Sequence, residues 1–326
     1  MRCSALMGAI LAAILASVHA APSRAGENYP TRPIKLVVGF PPGGPTDVMG
    51  RIIAKGLERE LGQPVIVENA GGAGGIVAAN NVARSTPDGY TLLVSVESQQ
   101  TRARALYARV PYDEMKSFTL IRKIAKQRIF VVANPNVPFS SLEGLIEYAK
   151  GHPDELNYGG TIATSSHIGG TILEKITGSR LTFIGYAGGN QLVTDLMGGT
   201  LQVGFYTEAI VGQLIESSKL KALAVAGAER SPSFPNIPTV QEVTGKPMDV
   251  SPWFALVGPA NLPPAVAEKL EKAATQMIAS EEFNTRLATL GASPIKNSSA
   301  QTFPLEVQEE IKFWAAWAEE NKLTAK

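Results

Sequence analysis

Glycine and small polar residues precede two predicted helices in this sequence, an arrangement that can bind an anion. The first stretch runs from Phe40 to Asp47, and the second runs from Thr161 to His167. The first backbone N–H groups of a helix have no acceptor within the helix, and the helix dipole adds positive potential there. We therefore predict that both stretches can hold a carboxylate or another small anion. For the first stretch, an ordinary strand-to-helix turn is the alternative.

The residues of the first stretch also predict where its helix begins. Gly44 is expected to cap the helix and Pro45 to be its first residue, because proline at that position loses no hydrogen bond. Asp47 then falls in the first turn, where a carboxylate suits the helix dipole.

Catalytic and metal-binding chemistry finds little support in the residue types. His167 follows Ser165 and Ser166, but adjacent residues at a helix start point apart, and no Gly-x-Ser-x-Gly motif is present. We predict a serine cap and a polar histidine at the rim. The single cysteine, Cys3, precedes the apolar core of a leader, so neither thiol chemistry nor a metal site is expected in the mature chain. We also predict no cofactor.

Glycines also cluster between Gly71 and Gly75, as in some nucleotide-binding loops. No Lys-Ser/Thr pair follows them, and Val77 occupies the last glycine position of a G-x-G-x-x-G pattern. The formal net charge of +1 likewise gives no indication of a nucleic-acid partner.

The N-terminus has the pattern of a cleaved secretory signal peptide. Arg2 precedes an apolar run from Leu6 to Val18, and Ala20 ends a small-residue cleavage site, with a second possible cut after Ala25. We predict that residues 1–20 are removed and that the protein is periplasmic.

The elements that position these residues alternate between strands and helices. An apolar strand around Leu36 to Val38 leads into the first helix, and similar pairs recur along the chain up to residue 226. The last helix is expected from Ser299 to Glu320, with Val307, Ile311, Trp314 and Trp317 as its buried face. There are too many strands for one small sheet, so we predict an α/β fold of two lobes with mainly parallel sheets and a cleft between them.

The sequence also resembles the periplasmic receptors of tripartite tricarboxylate transport systems, the Bug family, from Tyr29 to about Leu323. The motifs that carry the resemblance include Phe40-Pro41-Pro42-Gly43-Gly44, Leu61-Gly62-Gln63-Pro64-Val65, Pro87-Asp88-Gly89-Tyr90-Thr91, Val110-Pro111-Tyr112-Asp113, Ile237-Pro238-Thr239-Val240 and Trp253-Phe254. This resemblance implies a two-lobed type II periplasmic-binding-protein fold, no catalysis, and a small carboxylate ligand that is delivered to membrane permease subunits. It is compatible with a monomer, which we expect.

Two predicted strands, Ile129 to Ala133 and Trp253 to Val257, look like crossings on either side of a contiguous middle block and set the lobe limits, whereas the ligand contacts are implied by the resemblance. Lobe one is expected to comprise residues 29–126 and 252–326, and lobe two residues 127–251. The expected ligand-binding residues lie in the two glycine or polar loops and at the ends of later strands: Phe40, Pro41, Gly43, Gly44, Thr46, Asp47, Glu97, Ser98, Thr161, Ala163, Thr164, Ser165, Ser166, His167, Ala187, Gly188, Tyr206 and Thr207.

This chain departs from the family pattern at several of these positions. Ala187 stands where a lysine is frequent, Tyr206 and Thr207 where an Asp-Asn pair is frequent, and Glu97 lies in a strand end that is usually small. These positions have lost the charge that is frequent in the family, and Phe40, Tyr206 and Trp253 offer aromatic side chains to the cleft. We therefore hypothesise that the ligand is an aromatic or otherwise bulky carboxylate. A C4 to C6 dicarboxylate is the alternative.

A hydrolase and a sensor are the two alternative functions, and Arg102 and Arg104 are two further candidate ligand contacts. An exported α/β hydrolase would need a base, for which His167 is the histidine available in the cleft, and a sensor role would need only a docking face. Arg102 and Arg104 could pair with a second ligand carboxylate, but an exposed helix face is the preferred interpretation for both.

Overall fold

A computed structural model describes residues 28–162, 164–186 and 189–320. The strands are β1 Ile34–Val38, β2 Val65–Asn69, β3 Thr91–Val96, β4 Phe118–Gln127, β5 Ile129–Ala133, β6 Asn157–Gly160, β7 Thr182–Gly185, β8 Val203–Thr207, β9 Lys221–Val225, β10 Trp253–Pro259 and β11 Ala292–Pro294. The α-helices are α1 Pro45–Leu61, α2 Ile76–Ala83, α3 Glu97–Gln100, α4 Ala103–Leu106, α5 Leu142–Gly151, α6 Ser165–Thr177, α7 Gly189–Gly198, α8 Glu208–Glu216, α9 Val240–Thr244, α10 Pro264–Ala279, α11 Glu281–Ala288 and α12 Phe303–Glu320, with a 3₁₀ turn at Ala73–Gly75.

The strands form two separate sheets, and the fold is the predicted two-lobed α/β architecture. The first sheet has the order β11-β4-β10-β3-β1-β2, and the second has the order β7-β6-β8-β5-β9. The strands of the first sheet come from two separate parts of the chain, before residue 128 and after residue 252, whereas the second sheet uses the residues between them.

Both sheets are mixed, which differs from the predicted mainly parallel arrangement. Strands β1, β2 and β3 are parallel, as are β6, β7 and β8, but β10 runs antiparallel to both β3 and β4. Strand β5 likewise runs antiparallel to β8 and β9. Strand β11 is also antiparallel to β4. Strands β4, β5 and β10 flank the two crossings between lobes, where Gln127 donates its backbone N–H to the carbonyl of Pro252 over 2.9 Å.

Each sheet is covered on both faces, which explains its continuous apolar strands. In β1, Leu36 and Val38 belong to the cluster packed under α1 and α10, whereas Val37 belongs to the cluster on the opposite face. In β5, Val131 belongs to the cluster on one face of the second sheet and Phe130 to the cluster on the other face. Burial on both faces removes the polar alternation that an open sheet would show.

The last helix, α12, contacts both lobes. Near its start, Phe303 and Val307 belong to a cluster of the first sheet, whereas Trp314 and Trp317 belong to a cluster of the second sheet. At its end, Glu320 forms an ion pair with Lys175 of α6, with 2.8 Å between Oε2 and Nζ. Three of the four positions predicted for its buried face are buried, and Ile311 is half-buried. No described helix combines the length and the apolar character needed to cross a membrane.

Candidate functional site

A cavity of about 420 Å³ lies between the two sheets, at the ends of their central strands. Its wall is built by both lobes and by the crossings that join them. The lining residues are Phe40, Pro41, Gly44, Pro45, Thr46, Val96, Glu97, Ser98, Gln127, Ile129, Thr161, Thr164, Ser165, Ser166, Tyr186, Gln191, Leu192, Phe205, Tyr206, Thr207, Ile210, Pro252 and Phe254.

The first side of the cavity is the turn from β1 into α1. The helix begins at Pro45 with Gly44 as its N-cap, as predicted from the sequence. Because proline has no N–H group, the backbone donors of the first turn that point beyond the helix are those of Thr46 and Asp47. Gly43 adopts a φ of +77°, a left-handed conformation that glycine tolerates without strain. Gly44 and Thr46 line the cavity, so an anion there would meet the positive end of the helix.

Asp47 organises this turn from behind the cavity wall. Its buried carboxylate accepts hydrogen bonds from the Gly43 N–H at 2.9 Å, from Arg51 Nε at 2.9 Å and from Asn69 Nδ2 at 2.8 Å. Burial alone would raise the pKa of Asp47, but the hydrogen bonds from Arg51, Gly43 and Asn69 together lower this pKa. Gly43 and Asp47 were predicted as ligand contacts, and the structure places both outside the cavity lining.

The second side of the cavity is the start of α6. Thr164 is the N-cap, one residue before the predicted serines, and its hydroxyl donates to the carbonyl of Thr161 over 2.7 Å. Ser166 Oγ lies 2.8 Å from Thr164 Oγ1. The first-turn N–H groups of Ser165 and Ser166 have no acceptor within the helix. Two helix N-termini, one from each lobe, therefore contribute to one cavity.

His167 lies behind this second turn and does not line the cavity. The centroid of its ring lies 4.4 Å from that of Phe183, and His167 is 7% exposed. Burial, with the nearby positive charge of Arg102, lowers the pKa of His167 from 6.5 to about 4. A neutral, enclosed imidazole of this kind agrees with a packing role rather than with a base facing the cleft.

Glu97 is the charged residue of the cavity wall, and it contacts both lobes. It is 3% exposed, and its Oε1 accepts hydrogen bonds from Ser165 Oγ at 3.0 Å and from Arg102 Nη1 at 3.3 Å. Burial raises the pKa of the Glu97 carboxyl, while the Arg102 guanidinium acts to lower it. Arg102 in turn lies 4.3 Å from the ring centroid of Trp314 on α12.

The expectation that Arg102 is exposed is wrong, because this side chain is buried between Glu97 and Trp314. Arg104 is about half exposed and pairs with Glu114, 2.6 Å away. Neither arginine lines the cavity, so neither is placed to meet a second ligand carboxylate there.

Several buried polar atoms of the cavity wall have no hydrogen-bond partner among the described residues. They are Glu97 Oε2, Gln127 Oε1 and Nε2, Tyr206 Oη, and Thr207 Oγ1. A buried polar group without a partner costs about 1–3 kcal/mol, so such groups are uncommon unless something else satisfies them. All four of these residues line the same cavity.

The remaining wall is apolar and aromatic. Its aromatic residues are Phe40, Tyr186, Phe205, Tyr206 and Phe254. Phe40 and Tyr206 are two of the aromatic residues that the sequence analysis named. The expected contribution of Trp253 is wrong, because its ring packs instead against Phe303 at a centroid distance of 5.8 Å.

The structure brings together most, though not all, of the predicted ligand-binding residues. Twelve of them line the cavity: Phe40, Pro41, Gly44, Thr46, Glu97, Ser98, Thr161, Thr164, Ser165, Ser166, Tyr206 and Thr207. Asp47 and His167 are buried and do not line it, and Gly43 is exposed and lines an adjoining cavity. Ala163, Ala187 and Gly188 fall outside the described residues. Sequence reasoning did not identify Gln127, Pro252 and Phe254, although each adjoins a predicted crossing between lobes.

Within the described residues, no group of three His, Cys, Asp or Glu side chains is arranged to hold a metal ion. The cavity therefore offers two helix N-termini, one acidic side chain, hydroxyl and amide groups, and an aromatic wall. This combination suits a small organic anion with an apolar body.

Comparisons with known proteins agree with this geometry. Residues 49–323 match the family model described as "Tripartite tricarboxylate transporter family receptor". The solved structure of the periplasmic binding protein BugD is 31% identical, covers 91% of this chain and 100% of its own, and superposes with a TM-score of 0.84.

Two other similar structures were solved with a ligand named. Rpa4515 of R. palustris with adipate is 29% identical, with 90% of this chain and 98% of that chain covered and a TM-score of 0.84. MatC of Rhodopseudomonas palustris with bound malate is 29% identical, covers 89% of this chain and 100% of its own, and has a TM-score of 0.81.

Proposed function

Because this chain belongs to the tripartite tricarboxylate transporter receptor family, we propose that it captures a small organic acid anion in the periplasm and delivers it to the permease of such a transporter. In this proposal the protein is a binding receptor and performs no reaction. Closure of the two lobes around the ligand would present the loaded form to the membrane subunits.

The observation that carries the proposal is the convergence of two helix N-termini on one cavity. Thr46 belongs to the first turn of α1 and Ser165 to that of α6, and both line the same cavity from opposite lobes. A hydrogen bond to a charged group contributes about 1.5–3 kcal/mol, and each helix dipole adds roughly 0.3–1 kcal/mol. Three to five such contacts, less the cost of association, leave about 8 kcal/mol, which corresponds to micromolar affinity.

The apolar wall supports a ligand with a bulky or aromatic body. Phe40 and Tyr206 face the cavity from different lobes, and Tyr186, Phe205 and Phe254 extend the aromatic surface. Aromatic pairs contribute about 0.5–1.5 kcal/mol beyond the area that they bury. We therefore propose a carboxylate with an aromatic or apolar body as the ligand.

A C4 to C6 dicarboxylate is the second candidate ligand. It is favoured by the adipate and malate named for two relatives of about 29% identity. Gln127, Tyr206 and Thr207 could each donate a hydrogen bond to a second carboxylate, because the amide and both hydroxyls carry donors.

Two features of chain organisation belong to the same proposal. The two sheets suggest that lobe one comprises residues 29–126 and 252–326 and that lobe two comprises residues 127–251, with α12 also touching lobe two. The predicted signal peptide, residues 1–20, lies outside the described residues, and its removal on export remains part of the proposal. We expect the exported receptor to be monomeric.

A thermal-unfolding screen of the mature protein against several dozen carboxylates tests the receptor function. A ligand present at 100 times its dissociation constant should stabilise the protein by about 2.7 kcal/mol. Calorimetry on the hits would then compare benzoate and terephthalate with succinate, adipate, citrate and glutamate.

The Gly44→Val variant serves as the control for the location of the site, since its side chain would project at the cavity wall. Loss of the heat signal in this variant supports the assigned cavity. Consumption of a ligand with appearance of a product would contradict a pure receptor, and absence of any stabilising carboxylate would contradict the ligand class.

A further inference from the structure

Glu97 combines deep burial with one oxygen atom that the described residues leave unpaired. Its Oε1 is occupied by Ser165 Oγ at 3.0 Å and by Arg102 Nη1 at 3.3 Å. The residue is 3% exposed and forms part of the cavity wall, yet Oε2 has no hydrogen-bond partner among the described residues. A buried acceptor of this kind normally receives a hydrogen bond, and the cavity that Glu97 lines can supply the donor.

Burial raises the pKa of Glu97, but the contact with the Arg102 guanidinium acts in the opposite direction and favours the ionised form of this carboxyl group. A guanidinium group keeps its positive charge throughout the accessible pH range, and it lies against Oε1. An ionised carboxylate only accepts hydrogen bonds. A hydroxyl or ammonium group on the ligand could therefore satisfy Oε2, whereas a ligand carboxylate placed there would set acceptor against acceptor.

The other unpaired groups of the wall do not make this distinction. Tyr206 and Thr207 carry hydroxyls that can donate or accept, and the Gln127 amide has one group of each kind. These three residues can adapt to a hydroxyl, an ammonium group, an amide or a carboxylate. Among the four described wall residues that carry such atoms, Glu97 is the one whose ionised side chain only accepts, so it decides which polar group is admitted.

We propose that Glu97 makes this receptor selective for organic acids that carry an O–H or N–H donor, as a hydroxyl or an ammonium group, apart from the clamped carboxylate. The inference rests on the receptor function proposed above and narrows its ligand class. It also predicts discrimination against the plain dicarboxylate of equal length. The carboxylate end lies at the two helix N-termini, and the donor end lies at Glu97 Oε2.

Binding by the wild-type protein tests the proposal without any substitution. Calorimetry should compare two matched series: hexanoate, 6-hydroxyhexanoate, 6-aminohexanoate and adipate, and then benzoate, 4-(hydroxymethyl)benzoate, 4-(aminomethyl)benzoate and terephthalate. We expect a hydroxyl- or ammonium-bearing member of at least one series to bind about tenfold more tightly than both the unsubstituted acid and the diacid. The hydroxyl and ammonium members distinguish the two kinds of donor.

The Glu97→Gln variant tests the residue itself, with Glu114→Gln as its matched control. Glu114 is also buried and also pairs with an arginine, Arg104, but it does not line the cavity. A glutamine at position 97 presents an N–H₂ group to the ligand. We therefore expect the affinity for the preferred donor-bearing acid to fall about tenfold and that for the diacid to rise, whereas Glu114→Gln should keep the wild-type order.

The outcomes separate this inference from the proposed function. Tightest binding of adipate or terephthalate by the wild-type protein would overturn the selectivity while leaving a carboxylate receptor intact. An unchanged order of affinities in folded Glu97→Gln would overturn the role of Glu97. No binding by any acid of either series would contradict the carboxylate receptor and this inference together. If Glu97→Gln does not fold, the wild-type order decides.

Discussion

Ser165 Oγ lies 3.0 Å from Glu97 Oε1, and this hydrogen bond joins the two lobes beside the cavity. A second contact of the same kind is the hydrogen bond from the Tyr107 hydroxyl to the carbonyl of Ile162, at 3.1 Å. Both contacts exist only while the two lobes are close together. They therefore contribute to the equilibrium between open and closed forms, and through it to the apparent ligand affinity.

We expect Ser165→Ala to weaken ligand binding by about tenfold or more, because a hydrogen bond to a charged group contributes roughly 1.5–3 kcal/mol to the closed form. Small-angle scattering should show a larger radius of gyration for the ligand-free variant. Ser85→Ala is the control, since the Ser85 hydroxyl donates to Val82 within the same lobe. Equal affinities of Ser165→Ala and the wild-type protein would show that this contact does not govern closure.

Gly44→Val and Gly43→Val should fail in different ways. A side chain at Gly44 meets only the carbonyl oxygen of Pro41, at 3.4 Å, so the variant should fold and lose affinity at the cavity wall. At Gly43 there is free space, but a φ of +77° is unfavourable for a β-branched residue, so stability should fall by about 1–3 kcal/mol. Urea unfolding and calorimetry on both variants separate the two effects, and a stable Gly43→Val with normal affinity would contradict this account.

Asp47→Ala should mainly destabilise the first lobe. The substitution leaves the Gly43 N–H, Asn69 and Arg51 without their shared carboxylate, and we expect a loss of roughly 2–4 kcal/mol. Affinity should fall less than in Gly44→Val, because Asp47 lies behind the cavity wall. Since the pKa of Asp47 is lowered, its contribution to stability should be present above pH 3.8 and be lost as the pH falls further. Urea unfolding from pH 7 to pH 3 measures this effect.

Tyr206→Phe should separate binding from stability. The Tyr206 hydroxyl is buried without a partner among the described residues, so its removal should leave the ligand-free protein as stable as the wild type, or slightly more stable. Affinity should nevertheless fall by about fivefold to tenfold if the hydroxyl contacts the ligand. Thermal unfolding with and without ligand provides both readings. Unchanged affinity would mean that Tyr206 serves packing alone.

His167 should make stability depend on pH between about 4 and 6.5. Its pKa falls from 6.5 to about 4 on folding, so the unfolded chain binds more protons in this interval. Stability is then complete above pH 6.5 and declines as the pH approaches 4, by roughly 3 kcal/mol at about 1.36 kcal/mol per pKa unit. The difference in urea-unfolding free energy between wild type and His167→Gln, followed from pH 7.5 to pH 4, isolates this residue. A difference that does not change with pH would contradict the shift.

Local signals in the sequence were sufficient for the turn that starts α1. Gly44 as N-cap and Pro45 as first helical residue follow from backbone chemistry that does not depend on the rest of the fold, and both predictions are confirmed. Strand β4 lacks such a local signal, because it carries Arg122 and Lys123 where a buried strand is expected to be apolar. In the fold, Lys123 forms ion pairs with Glu306 and Glu310 of α12, which the local sequence does not reveal.

The part of the cavity lining formed by Gln127 and Pro252 could not be predicted from local sequence for the same reason. Gln127 and Pro252 are distant in sequence and meet only because the two crossings between lobes run side by side. Arginine is usually exposed, so the sequence gives no sign that Arg102 is buried. Its burial depends on contacts with Glu97 and with Trp314, which lies near the other end of the chain. Predicting such positions requires the pairing of remote segments, whereas helix starts require only their own residues.

The path of α12 gives this protein a built-in optical reporter. Trp314 packs with Arg102 and belongs to the cluster of the second sheet, while the same helix is anchored to the first sheet through Phe303. Any separation of the lobes must change the surroundings of Trp314 and of Trp317, whose ring lies 5.4 Å from it. Emission from these two indoles should therefore shift as ligand binds, so that closure can be followed in the unlabelled protein.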